Sequence, residues 1–361
     1  MYTGVILAAI KGVEACLNEQ TWFLVAILQI VSSLLFYGHN AANLAYTSEL
    51  SLDGVEQAVY NSSFLSFLYA SMILFMVTVL LVSLLLGLGD IGTARVSQTL
   101  TASVCLPLFY LTWTRLIRNR PALTTVEATD NVISFGFRRL WSTAQVIFHN
   151  HGPLRWLLVA VALSESAMAA LTTISTTYMT QILAMNANEI AVVFLFVLVA
   201  CVPGSKLGAR LAQTFRSPIT STKMANVFLA VTTFSACFFL DGPEDKRFAK
   251  LFGMFWGLGI GWLSPMDTSS FITLKPPGNE TEWMANYLMA TMILFWLPPI
   301  VFTTLNEHGF PMVIGMASLG VYFVLALLSL SLVFEPESHS MAEIVSPEDD
   351  EELDEIVPVD R

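Results

Sequence analysis

Charge is what this 361-residue chain has least of: Asp, Glu, Lys and Arg make up 12% of it, about half the roughly 25% of an ordinary soluble domain. Too few polar side chains remain to cover a water-facing surface, which excludes a soluble enzyme. Basic residues are scarcer still, 17 against 28 acids. No basic face for phosphates is expected, and so no nucleic acid as a partner. Cysteine is thin: Cys16, Cys105, Cys201 and Cys237 are isolated, with no metal or redox spacing, and read as buried spacers. The five histidines fall in loops or at segment ends, and His149 and His151, two apart, suit no helical metal pair. No metal site and no cofactor are expected. No G-x-x-x-x-G-K-[ST] loop occurs, which argues against an ATP-driven pump. No span pairs His, Asp or Glu at catalytic spacing, so the chain is not expected to be an enzyme.

What the sequence has in abundance is apolar length. Hydrophobic residues make up 55% and mean hydropathy is +0.65. A bilayer core of about 30 Å takes about 20 apolar residues as a helix. Runs near 21–37, 64–87, 97–114, 154–176, 189–204, 219–240, 249–273, 284–305 and 311–334 meet that need, predicting nine spans of an all-α multi-pass membrane protein. Residues 1–20 hold only a short apolar patch before Lys11, too short to span and without the leader or cleavage site of a signal peptide.

The acidity is local. Residues 335–361 hold eleven acids and one base, so the tail is −10 of a net −11. A run such as Glu348-Asp349-Asp350-Glu351-Glu352 repels itself, and disorder is expected there. Lys and Arg orient the spans. Ten of them, six between Arg115 and Arg155 with Lys206, Arg210, Arg216 and Lys275, fall on one face, against Lys11, Arg95, Lys246, Arg247 and Lys250 on the other. The long basic loop and the tail are therefore expected in the cytosol. The sequons at Asn61 and Asn279 fall on that same face and should stay unglycosylated. Within the loop, 133–148 reads as an amphipathic helix at the interface with Arg138 and Arg139 near headgroups. The expected organisation is 1–114 as a partial N-terminal half with three helices, 115–153 as the central loop, 154–334 as a six-helix half, and 335–361 as the tail. Six spans after a basic central loop is the layout of a major facilitator transporter.

Several stretches resemble one family of such transporters. Leu274-Lys-Pro-Pro-Gly-Asn-Glu-Thr-Glu-Trp-Met284 resembles the "L-I-P-x-G-x-E-A-E" loop of the autophagy-related protein 22 family, vacuolar amino-acid effluxers, and departs from it at Lys275 and Asn279. Its motif residues here are Pro277, Gly278, Glu280 and Glu282. Trp296-Leu-Pro-Pro-Ile-Val-Phe-Thr-Thr-Leu-Asn-Glu-His-Gly309, with Asn306 and Glu307, is similar to the family's "W-L-P-P-x-x-F-x-x-x-N-E-x-G". Leu106-Pro107 with Arg115-Leu-Ile-Arg-Asn-Arg-Pro121 is similar to its sixth span and exit, and Ala45-Tyr-Thr-Ser-Glu-Leu50 to its "A-Y-L-P-E-L" stretch. On this registration the nine spans match the family's fourth to twelfth, and the first three are expected to be absent. The resemblance implies a secondary transporter of small solutes, amino acids leaving the vacuole or lysosome, working by alternating access. The alternative is a non-transporting scaffold or sensor that recruits partners through its tail, where Ser346-Pro347-Glu348-Asp349 offers a phosphorylation site.

Charge inside the bilayer selects the candidate residues. Outside the tail only Glu165 and Asp267 lie within an apolar span. Glu165 falls mid-span, where a charge costs about 2.5–3.5 kcal/mol. It reads either as a substrate-amine contact or proton carrier, or as a protonated side chain bonded to a neighbouring helix. Asp267 follows Pro265, which removes a helix hydrogen bond. With Thr268, Ser269 and Ser270 it either caps a restarted helix or marks a broken helix that binds an ionic substrate. Trp262 next to that break lines a cavity or packs. Pro298 and Pro299 are expected to bend their span as a hinge. Gly253 and Gly257 make a small-residue face for close helix approach. Gly204-Ser-Lys-Leu-Gly-Ala-Arg210 reads as a loop, resembling the facilitators' gating loop with Arg210 as its basic residue, or as a positive-inside anchor.

Overall fold

The computed structural model describes residues 2–16, 21–48, 50, 51, 53–116, 132–276 and 280–334. Among them the chain is helical throughout, without strands. In order the helices are α1 (Tyr2–Cys16), α2 (Trp22–Ser48), α3 (Gly54–Leu86), α4 (Asp90–Leu111, followed by a wider π-type turn Thr112–Leu116), α5 (Val132–Asn150), α6 (Gly152–Gln181), α7 (Ala187–Phe215), α8 (Pro218–Phe239), α9 (Lys246–Leu274), α10 (Glu280–Met292), α11 (Leu297–Glu307) and α12 (Met312–Ser331).

Local chemistry sets their ends. The Asp53 side chain accepts from the Val55 N–H to start α3, and Gly87, at φ 61°, closes it in a left-handed turn. Asn186 and Glu189 exchange bonds with each other's backbone N–H, a capping box for α7. Ser217 caps α8, whose first residue is Pro218.

All nine apolar runs are helical. Among the described residues seven helices are long and apolar enough to cross a membrane: α2, α3, α6, α7, α8, α10 with α11 as one span, and α12. The other two runs, α4 and α9, have spanning length but lower hydropathy. For α9 the cause is visible: glycines, Ser264, Pro265 and Asp267 dilute it, and α3, α6, α7 and α8 all pack against it. A helix wrapped in protein needs no apolar coat. Elsewhere the coat faces outward: Leu84, Leu85 and Phe238 are 78–84% exposed, as a surface bathed in lipid tails requires.

Four expectations change. Residues 204–210 form no loop; they continue α7 to Phe215, with Gly204 and Gly208 turned onto α9. Pro265 does not break α9, which runs unbroken to Leu274, so Asp267 caps no restarted helix. Helix α3 begins at Gly54, ten residues before the predicted span, which places Asn61 inside it and 2% exposed; burial is thus a second reason to expect that sequon to stay unglycosylated. The span around 284–305 is interrupted at 293–296, just before Leu297-Pro298, splitting it into α10 and α11.

The glycine face does pack closely. A methyl group on Gly257 or Gly261 would collide with the Val197 or Cys201 carbonyl of α7, and one on Gly204 with the Leu258 carbonyl of α9. The α7–α9 crossing is therefore a backbone-to-backbone contact of the small-xxx-small kind.

Candidate functional site

The polar residues of α9 sit where three other helices converge. From α3 come Asn61, Ser62, Ser66 and Tyr69, which share the helix side turned to α7 and α9 because they recur at four- and three-residue steps. Asn61 Nδ2 donates to Ser269 Oγ at 2.9 Å, and the Ser66 and Ser205 hydroxyls pair at 2.7 Å. Ser62 donates to the Ser205 carbonyl. From α6 come Ser164 and Glu165. Ser164 Oγ donates to Asp267 Oδ2 at 3.3 Å. From α10 comes Tyr287, whose hydroxyl meets Thr268 Oγ1 at 3.1 Å and whose ring lies against Phe271, centroids 4.9 Å apart.

Glu165 stands among these groups. Tyr69 of α3, Asp267 of α9 and Tyr287 of α10 all lie within electrostatic reach of its carboxyl. Tyr69 also reaches Ser264. Glu165 makes no hydrogen bond or ion pair with any described residue, and it is only partly covered by protein, whereas Asp267 is 1% exposed. Glu165 lies about 20 Å into α6 from its start, and Asp267 about 10 Å from the end of α9. The ion pairs among the described residues, Lys11–Glu14, Arg139–Glu282, Lys246–Glu189 and Lys275–Glu280, all lie elsewhere. Two acids thus share a low-dielectric, hydroxyl-rich cluster, and among the described residues no basic side chain pairs with either.

The other sequence candidates scatter. Trp262 is 5% exposed, and its indole N–H donates to Ser221 Oγ of α8 at 2.9 Å; it packs α8 onto α9. Arg210 is exposed near the end of α7, and no described residue pairs with it. Pro265 lies two residues before Asp267 within α9, and Pro298 and Pro299 open α11. Pro277 and Gly278 lie outside the described residues. Glu280 pairs with Lys275 across that loop, which gives the Lys departure from the family pattern a partner. Glu282 binds Arg139 Nε at 2.7 Å and the Thr143 hydroxyl, tying α10 to α5. Asn306 and Glu307 are exposed at the end of α11, where Gly309, at φ 81°, turns the chain and donates to the Asn306 carbonyl. Sequence reading missed Asn61, Tyr69 and Tyr287. Their signal is the hydroxyl-rich face of 61–69 and an aromatic that keeps a polar tip, neither of which reveals its partners.

The fold is that of the major facilitator superfamily transporters. The Escherichia coli fucose:proton symporter FucP superposes with TM-scores of 0.64 and 0.65 in two crystal structures, at 16% and 15% identity, covering 92% of this chain and 83% of that one. One of the two is described as the outward conformation. A bacterial homologue of the iron transporter ferroportin, in an outward-facing state, gives 0.58 at 15% identity, covering 91% of this chain and 82% of that one. No curated protein matches the sequence. Residues 41–343 match the family described as vacuole effluxer Atg22-like. The chain belongs to that family, and it is a multi-pass integral membrane protein.

Proposed function

We propose that this protein is a secondary transporter moving small solutes, amino acids foremost, out of the vacuole or lysosome by alternating access. The observation that carries the reading is the cluster of polar groups holding Glu165 and Asp267. Two carboxyls within electrostatic reach of each other in a membrane interior, with no basic side chain paired to either among the described residues, call for a positive partner. A proton and the ammonium group of an amino acid are the two partners a transporter supplies in turn. The cluster joins α3, from the part of the chain before the central loop, to α6, α9 and α10, from the part after it. Rocking of the two parts about it exposes it to either side. Glu165, without a hydrogen bond to any described residue, is the group that meets substrate or proton, and Asp267, held by Ser164, sets the field beside it. Tyr69 and Tyr287 supply hydroxyls for the substrate carboxylate. The family's description as a vacuole effluxer supports the organelle and the direction.

Counterflow tests this reading. Purified protein in liposomes loaded with unlabelled amino acids should accumulate a labelled one above the level of empty liposomes, and a mixture of the common amino acids identifies which. A folded, reconstituted protein that exchanges none of them contradicts amino-acid transport.

A further inference from the structure

On the flank of the bundle, α5, α6, α10 and the turn after α10 enclose a groove of about 240 Å³, lined by neither Glu165 nor Asp267. Met289 of α10, Ile293 of the turn that follows it, Leu158 and Ala162 of α6 and Ile147 of α5 line it, and among its lining residues Asn286 alone is polar. Met289 and Ala290 follow Asn286 by three and four residues on one side of α10, and Ile293 and Leu294 carry the lining into the turn beyond Met292. Asn286 is 2% exposed. Its Nδ2 donates to the Glu282 carbonyl at 3.1 Å, while its Oδ1 has no hydrogen-bond partner. A buried acceptor without a donor costs about 1–3 kcal/mol.

Depth identifies the occupant. Helix α5 turns Phe137 and Trp141 outward, 73% and 66% exposed, with Arg138 exposed beside them, the pattern of a helix lying at the headgroup level. Arg139 and Thr143 of that helix bind Glu282, which fixes Glu282 at the same level. Asn286 is one turn further along α10, about 6 Å deeper. The groove thus offers one acceptor just beneath the headgroups and a purely apolar track below it. Ile293, 54% exposed, marks its open rim. The volume falls short of the roughly 300–1,000 Å³ that encloses a whole small ligand, so the occupant keeps part of its body in the bilayer.

We propose that this groove binds a membrane sterol, whose single hydroxyl donates to Asn286 Oδ1 while its rigid apolar body lies along α6 and α10. Acyl tails bring no donor to that depth, and water there would have too few polar partners.

The experiment is photolabelling of the full-length protein in phosphatidylcholine liposomes with a diazirine-bearing sterol, followed by peptide mapping. Label is expected on the α6 and α10 peptides, displaced by excess unlabelled sterol but not by diacylglycerol. Asn286→Leu, which keeps the volume and removes the acceptor, should lower that labelling by about fivefold. Ile293→Trp, on the exposed rim where it does not burden folding, should block it as well, and decides the matter if Asn286→Leu does not fold. Labelling unchanged in both variants overturns the site, and equal displacement by diacylglycerol overturns the sterol.

Discussion

Asp267 and Glu165 are both acids in apolar spans, yet their surroundings assign them different work. Asp267 is enclosed and receives a hydrogen bond from Ser164; Glu165 is partly exposed and makes no hydrogen bond with any described residue. Asp267→Asn keeps an oxygen to accept from Ser164, so the fold should survive while the charge is lost. The expected result is a melting temperature close to wild type with counterflow down by at least about tenfold, roughly 1.4 kcal/mol of lost charge interaction. Wild-type counterflow in a folded Asp267→Asn protein assigns Asp267 a packing role only. The charge filter that singles out these two acids works from sequence because insertion into lipid penalises charge wherever the chain folds. Tyr69 and Tyr287 escape the same filter: an aromatic inside an apolar run is ordinary packing until tertiary structure sets its hydroxyl beside a carboxyl.

At the scale of the helix, the α7–α9 crossing shows why some elements read correctly and others do not. Long Leu-, Val- and Phe-rich runs declare themselves by hydropathy. Gly204-Ser-Lys-Leu-Gly-Ala-Arg210 reads as a loop because glycine, serine and charge are loop residues in isolation. It is helix here because Gly204 and Gly208 admit the backbone and Trp262 of α9. Pro265 likewise reads as a break, yet α9 stays helical with neighbours on several sides. Gly257→Leu should therefore lower stability by about 1–3 kcal/mol, the range for overpacked cores, seen as a drop in detergent melting temperature. Gly38→Ala is the control: nothing lies within 4 Å of a methyl group there, so it should leave the melting temperature unchanged or raise it slightly. Equal effects of the two substitutions contradict a close crossing.

For the whole molecule, the parts of the chain before and after the central loop meet at one end of the bundle. There α3 begins and α9 ends: a methyl on Gly54 would strike Thr273 Oγ1, and about two turns further along α3 Asn61 meets Ser269. Near the same end, α2 packs against α10. The two parts of the chain thus touch directly at this end, and alternating access requires that contact to open. Gly54→Cys with Thr273→Cys should crosslink readily under mild oxidation and stop counterflow, with both reversed by reductant. Crosslinking that leaves counterflow at the wild-type rate contradicts opening at this end.

The central claim is that Glu165 exchanges its positive partner during transport. It is tested most directly by uptake into liposomes with and without an imposed pH gradient, comparing wild type with Glu165→Gln. The account predicts that the gradient accelerates the wild type and has no effect on Glu165→Gln, which retains at most a slow, pH-insensitive exchange. Transport by Glu165→Gln at the wild-type rate, with the wild-type response to the gradient, would contradict it.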